Sequence, residues 1–412
     1  MNPLSTRAGR RIFFGSLYLS EGAPIGFIWW ALPTKLRLAR VPVEEITALT
    51  SLLVLPWVFK FLWAPLVDTL QSSRWTLRSW IVATQILMGV CLLPLLFLDL
   101  YNSLPVVVPL LLAHALAAAT QDASIDALCI STVSATERGA INAWMQAGML
   151  TGRALFGGGA LLLTEKLGES AVVALLIAVV WLSMVLVMLS RPASPLDTEP
   201  SSIMRRWGEF AERFKEALHH KTTWLGLLFA AVSAAGFEAV GAVAGPYMID
   251  RGISAENIGF FFAVPVVAGM LGGALLGGHI SDRIGRKRSV TIFLALFVSN
   301  IVFIACLDAV LGEEAQRWVI PLLSTLYFCI GMFTASSYAL FMDITDPRLG
   351  ATQFSAYMGA TNGCESWATL AVGKLHASFG YPAAFVVMGV ISLFSLIILK
   401  PLSVQQRAAL TS

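Results

Sequence analysis

Runs of about twenty apolar residues recur from one end of this chain to the other, and they limit its fold more than any other feature. A bilayer's hydrocarbon core takes about 20 residues of helix to cross. In lipid every backbone N–H and C=O must be satisfied within the protein, so helices and closed barrels are the only spanning structures. Runs of this length predict helices, and twelve spans are expected: 12–37, 44–70, 77–98, 104–130, 137–163, 170–190, 222–248, 255–280, 287–308, 317–343, 349–375 and 380–401. Only 13% of the residues are charged, against about 25% in a soluble domain, which places the chain among polytopic membrane proteins. The first run continues through Trp29 and Trp30, past the core length of a cleavable signal, and is expected to remain as a span.

Orientation follows from where the basic residues fall. With the N-terminus inside, the cytoplasmic segments hold Arg7, Arg10, Arg11, Arg74, Arg78, Arg138, Arg191, the linker cations, Arg283, Arg286, Lys287, Arg288, Arg348, Lys400 and Arg407. The opposite side holds only Lys35, Arg37, Arg40, Lys166, Arg251, Arg317 and Lys374. The positive-inside rule then puts both termini in the cytoplasm.

Catalysis finds no support in the sequence. Cys91, Cys129, Cys306, Cys329 and Cys364 all fall inside predicted spans, without the spacing of a zinc site or a disulfide framework. No phosphate-binding loop of the Gly-x-x-x-x-Gly-Lys-Ser/Thr kind occurs, which argues against a nucleotide-driven pump. No nucleophile motif and no sizeable soluble output domain point to an enzyme or a sensor. The expected partners are lipid, a small solute and protons; nucleic acid, metal and cofactor are not expected.

Charges inside the spans are the candidates for function. The stretch from Thr120 to Gly139 closes a long apolar run yet carries Gln121, Asp122 and Asp126. A carboxylate at the centre of a spanning helix costs roughly 2.5–3.5 kcal/mol, so such residues face a protein interior or a watery path. Glu21 lies nine residues beyond Ile12, or ~13 Å along a helix at 1.5 Å per residue, and Asp122 sits at a similar depth. Glu21, Asp122 and Arg153 are therefore candidates for proton coupling or for recognising substrate charge, with Glu238 in the second half; a buried structural ion pair is the alternative. Lys60 is expected to snorkel toward the cytoplasm, and Asp126 and Asp343 to pair near helix ends. Trp29, Trp30, Gln121, Phe237, Tyr338, Asn362 and Glu365 are the expected cavity lining, suited to a solute with rings or a partly apolar body.

The organisation is a repeat. Asp68 and Asp282 stand 214 residues apart, and Gly139 and Gly350 stand 211 apart, which implies halves at 1–190 and 222–412. Between them, at 191–221, Pro192, Pro195 and Pro200 precede an amphipathic pattern of Met204, Trp207, Phe210, Phe214 and Leu218, expected to lie in the cytoplasmic interface. Gly148 and Gly152, and Gly269, Gly273 and Gly277, recur at four-residue spacing, which lets backbones approach closely in lipid.

Gly278-His279-Ile280-Ser281-Asp282-Arg283-Ile284-Gly285-Arg286-Lys287-Arg288 is similar to the Gly-x-x-x-Asp-Arg-x-Gly-Arg-Lys loop of the major facilitator superfamily. Asp68, followed by Arg74, resembles a degenerate first copy. The resemblance implies an all-α integral membrane fold of twelve transmembrane helices in two pseudo-symmetric six-helix halves, working as a monomer by alternating access. It implies that the loop aspartates cap a neighbouring helix and pair with basic residues at an inward gate, and that the two glycine stripes lie at the seam between halves, where they form a sliding surface; simple static packing is the alternative reading of the glycines. Three further segments, Ser20-Glu21-Gly22-Ala23-Pro24-Ile25-Gly26, Phe59-Lys60-Phe61-Leu62-Trp63-Ala64-Pro65-Leu66-Val67-Asp68 and Thr120-Gln121-Asp122-Ala123-Ser124-Ile125-Asp126-Ala127, resemble one branch. That branch holds AmpG-like muropeptide permeases, acetyl-CoA transporters and siderophore permeases of the rhizobactin and pyochelin type. The compact chain resembles the siderophore subgroup, which implies proton-coupled import of a ferric siderophore across a bacterial inner membrane, with a muropeptide permease or another solute transporter or exporter as the alternatives.

Overall fold

The computed structural model describes residues 3–72, 74–134, 137–190, 208, 211–212, 215–216, 218–345 and 350–402. Most of the expected linker helix, the side chain of Asp68 and the Arg348–Leu349 pair lie outside them. All regular structure among the described residues is helical. The first six spans are α1 (Arg7–Gly26, continued by a π turn Phe27–Ala31 and the helix Leu32–Leu38), α2 (Val43–Thr69), α3 (Leu77–Leu92), α4 (Leu104–Thr132), α5 (Arg138–Arg153, continued by a π turn Ala154–Gly158 and Gly159–Leu167) and α6 (Glu169–Leu189). Next come α7 (Lys221–Ser233 and Ala235–Asp250), α8 (Ala255–Ala263 and Pro265–Ile284), α9 (Arg286–Leu311) and α10 (Gln316–Ile344). The last helical run, Gly350–Leu399, breaks at Gly380 into α11 (350–379) and α12 (381–399).

Among the described residues, nine helical segments are long and apolar enough to cross a membrane, the last run counted as one. That run contributes two legs, because Gly380 takes φ 78° and ψ 174°, a conformation essentially reserved for glycine. The remaining two are α1 and α5, which are interrupted by π turns and carry charges at Arg10, Arg11 and Glu21 and at Arg138 and Arg153. Twelve spans result.

Helix starts follow local chemistry. The Thr6 hydroxyl accepts from the Gly9 N–H at 3.0 Å ahead of α1, and the Ser254 hydroxyl accepts from the Asn257 N–H at 3.3 Å ahead of α8. Each satisfies a donor that the first turn leaves free. Thr76 and Ser79 form a capping box at the start of α3. Pro105 opens α4, where its missing N–H is not needed.

The chain divides into two compact units. The first comprises Met1–Val41, Phe59–Gly208 and Ser254–Val264, and the second Pro42–Val58, Glu209–Ile253 and Pro265–Ser412. In the first, Phe13, Phe14, Leu17 and Tyr18 of α1 pack with Ile81 of α3, Ile125 and Leu128 of α4, Met145 of α5 and Val187 of α6. Small residues set the spacing: a Cβ on Gly22 or Gly26 would overlap the backbone of Met149 or Arg153, and one on Gly148 or Gly152 the backbone of Gly15 or Leu19. In the second, Gly273 and Gly277 of α8 stand against the backbone of Phe328 and Met332 of α10. The glycine stripes thus pack against helices of their own units, as the static-packing alternative to a sliding seam expects. Their lack of a Cβ sets the α1–α5 and α8–α10 distances.

Candidate functional site

The densest set of ionisable side chains inside the spans lies in the first unit, where α1, α2, α4 and α5 bring together residues far apart in sequence. Lys60 of α2 forms an ion pair with Oδ2 of Asp122 on α4. One turn further along α2, the Trp63 indole N–H donates to the Thr120 hydroxyl at 3.1 Å and fixes the register of the two helices. Asp122 and Asp126 are four residues apart and so share a face of α4. The Tyr18 hydroxyl of α1 reaches both, at 2.6 Å from Oδ1 of Asp126 and 3.3 Å from Oδ1 of Asp122.

Glu21, one turn beyond Tyr18, is 1% exposed, and its Oε2 has no hydrogen-bond partner. Asp122, Lys60, Asp126 and Arg153 all lie close enough to act on it electrostatically. Arg153 is the last residue of α5 before its π turn, and its Nε also lacks a partner. The α1 helix has its own π turn six residues beyond Glu21, at Phe27–Ala31. Such π turns in a membrane helix often mark functional sites, and here both lie in the two spans that carry Glu21 and Arg153.

The cluster therefore contains three carboxyl groups and two cations. With every group ionised it would carry one excess negative charge in a low-dielectric interior, and one bound proton makes it neutral. Isolated charge is costly in such a setting.

The expected triad of Glu21, Asp122 and Arg153 comes together, with a different pairing. Lys60, expected to snorkel, is instead the ion-pair partner of Asp122. Gln121 is fully buried, and neither side-chain atom has a hydrogen-bond partner. Its register places it on the face of α4 shared by His114, Ala118 and Ile125, all buried. A separate polar chain runs through this unit: the Ser20 hydroxyl and the Gln85 amide both donate to Ser183 Oγ, at 3.1 and 3.0 Å. Trp30 stacks on Phe262 with ring centroids 5.2 Å apart, and Trp29 is half-buried beside it.

In the second unit Glu238 lies within electrostatic reach of Tyr327 and Cys364, and Glu365 of Cys364. Phe237 packs edge-on against Phe297 and Phe333, with centroids 5.5 and 6.0 Å away, so its ring belongs to the core of the unit. The Asn362 amide donates to the Trp57 carbonyl at 3.3 Å. Tyr338 is exposed at its position on α10. At the Asp250 end of α7 the Arg251 guanidinium donates to both oxygens of Asp308, and the Tyr247 hydroxyl donates to Oδ1 at 2.9 Å. These bonds hold Arg251 above its ordinary pKa. Charges at the ends of two spans foreshadow this pair, but its partnership is tertiary.

The loop between α8 and α9 is ordered by its own charges. Arg286 bridges Asp282 at 2.6 Å and Asp343 of α10 at 3.4 Å, and Lys287 Nζ donates to the Lys400 carbonyl at 3.1 Å. Gly285 takes φ 92° at the start of α9. Gly278 has open space where a Cβ would stand, while Arg283 and Arg74 are exposed.

Known proteins resemble this chain in fold and, more distantly, in sequence. The chain is 26% identical over 353 residues to the anhydromuropeptide permease of Escherichia coli (strain K12), covering 82% of this chain and 68% of the permease. It is 24% identical over 396 residues to the Rickettsia conorii chain named AmpG 4, covering 94% of this chain and 95% of that one. Among solved structures, a mutant of the nucleoside transporter NupG superposes with a TM-score of 0.74 at 12% identity, over 95% of this chain and 99% of that chain. The inward-open xylose transporter XylE from E. coli gives a TM-score of 0.72 at 13% identity, over 98% of each chain. Twelve spans, a charged loop after the eighth and a family model matched across residues 12–371 make this a multi-pass secondary transporter: the chain belongs to the Major Facilitator Superfamily.

Proposed function

We propose that the protein imports a muropeptide-class solute, an amino sugar bearing a short peptide, across a bacterial inner membrane in symport with protons. The observation that carries the coupling is the cluster of Tyr18, Glu21, Lys60, Asp122, Asp126 and Arg153, whose charges balance when it holds one proton. The solute class rests on the likeness to the anhydromuropeptide permease over 82% of the chain. Siderophore import, the expectation from the resemblance, has no support among the relatives, whose names are an anhydromuropeptide permease and a Rickettsia transporter AmpG 4, and no observation favours iron as cargo.

In this reading the halves 1–190 and 222–412 exchange access to the solute from side to side, the linker 191–221 tethers them, and both termini lie in the cytoplasm. Arg286, with Asp282 and Asp343, latches the inward gate. A protonated Asp122 or Glu21 frees a cation to meet solute carboxylate, and return of that cation releases the solute. In the second unit Glu238 and Glu365 are the proposed groups for solute charge.

Uptake by spheroplasts with and without the protein tests the assignment, using labelled anhydro-muropeptide and iron-labelled siderophore side by side. Protein-dependent uptake of the muropeptide that an uncoupler abolishes is the expected result. Uptake of the ferric siderophore alone would replace the solute and leave the coupling site in place.

A further inference from the structure

Nothing in the sequence singles out Tyr18, and the charge balance of the cluster does not require it. Its position is nonetheless particular. The ring is 6% exposed among Phe13, Phe14 and Ile125, yet its hydroxyl leaves that apolar packing to meet two carboxylates one helical turn apart. Lys60 occupies Oδ2 of Asp122, so the oxygen of Asp122 turned toward Tyr18 is Oδ1, the one not engaged by the ammonium. Asp122 is 7% exposed, whereas Asp126 is half-buried and one turn closer to the Thr132 end of α4. The basic-residue bias puts that end at the cytoplasm.

We propose that Tyr18 is a proton relay, carrying the coupled proton from Asp122 to Asp126 on its way to the cytoplasm; this rests on the proton-coupled reading of the cluster. A phenol has one proton to donate and lone pairs with which to accept. The 2.6 Å bond to Asp126 takes the donated proton, and the 3.3 Å approach of Asp122 Oδ1 is where the hydroxyl oxygen accepts once Asp122 is protonated. The transfer is concerted. The Oδ1–H bond of Asp122 breaks as a new O–H bond forms on Tyr18, and the original Tyr18 O–H bond breaks as Asp126 Oδ1 gains the proton.

Tyr18 is neutral before and after, and no tyrosinate is formed. Asp122 is left as a carboxylate against Lys60, ready for the next proton. The charged and titratable groups acting on Tyr18 are Glu21 on its own helix and Asp122 and Asp126 on α4, with Lys60 on α2 paired to Asp122 and Arg153 on α5 acting on Glu21. Tyr18 touches both aspartates through one atom. Asp126 thereby becomes the release group, a role different from the helix-end pairing expected of it.

Proteoliposomes given labelled anhydro-muropeptide from outside, with unlabelled solute inside for counterflow and none inside for uptake, separate relay from transport. Counterflow exchange requires solute and conformational change without net proton movement, whereas accumulation under an inward pH gradient requires the proton to pass. Tyr18→Phe, which keeps the ring and removes the hydroxyl, is expected to hold counterflow within about threefold of wild type and to lose tenfold or more of gradient-driven uptake. Asp126→Asn is expected to show the same split. Equal gradient-driven uptake in Tyr18→Phe and wild type would overturn the relay. Parallel loss of both modes would also overturn it, by assigning the hydroxyl to solute or packing.

A solute-independent reading keeps the two proposals apart. In pH-jump infrared difference spectra of purified protein, carboxyl bands assigned with Asp122→Asn and Asp126→Asn should change together in wild type. In Tyr18→Phe the Asp122 band should lag by tenfold or more. Bands that still move together in Tyr18→Phe would sink the relay whatever the solute proves to be. A wild type whose uptake ignores the pH gradient would overturn the coupling reading itself.

Discussion

Lys60 shows what a single residue can decide in a bilayer. Removing one member of a buried ion pair leaves the other charge uncompensated, at a cost of about 3–5 kcal/mol, whereas removing both often costs little. Lys60→Met is therefore expected to lower the thermal midpoint of the purified protein sharply, and Lys60→Met with Asp122→Asn to recover most of the loss. A thermal-shift double-mutant cycle checks this, and additive losses would mean that the pair seen between α2 and α4 carries no stability. Glu21, Asp122 and Arg153 were legible in the sequence because a charge inside an apolar run has few innocent explanations. Lys60 was not, because a lysine near a helix end can snorkel equally well, and its partner is 62 residues away. Gln121 is expected in the cavity lining because it lies in the polar stretch of α4 that carries Asp122 and Asp126. One residue is 100° of helix, and that rotation puts it on the buried His114 face instead.

Among the elements, α1 and α5 are the clearest case of backbone shape written in small residues. Between helices in lipid, close packing replaces the hydrophobic drive available in water, so each Cβ that is absent matters. Gly152→Val is expected to abolish the monodisperse protein, since the backbone of Leu19 and Ala23 occupies the space. Gly139→Ala, on the same helix with nothing within 4 Å, is expected to behave as wild type, and fluorescence-detected size exclusion separates the two outcomes. At the turn between α11 and α12, Gly380→Ala is expected to cost on the order of 1–3 kcal/mol, read as a lower thermal midpoint with no change in helix content. The number and approximate limits of the spans were legible because apolar length is a one-dimensional signal. The π turns at Phe27–Ala31 and Ala154–Gly158 were not, because they arise where two glycine-rich helices meet. The same limit applies to the glycine stripes: the spacing predicts a close contact without saying which helix supplies the other side.

For the whole molecule, secondary transport needs two states of similar energy whose exchange is biased by both solute and proton. On the proposed reading of the cluster in the first unit, one proton is exchanged per cycle, and a stoichiometry of one sets the expected response to a gradient. With the membrane potential clamped at zero, one pH unit supplies about 1.4 kcal/mol, enough for about tenfold accumulation. The direct test is the steady-state accumulation of labelled anhydro-muropeptide in proteoliposomes, measured as the outside is made progressively more acidic than the lumen, for wild type and Asp122→Asn. A rise of about tenfold per pH unit in wild type, with Asp122→Asn only equilibrating the solute, is the predicted result. A wild-type ratio that stays at one, or an Asp122→Asn ratio that rises as steeply as wild type, would contradict the assignment of coupling to this cluster.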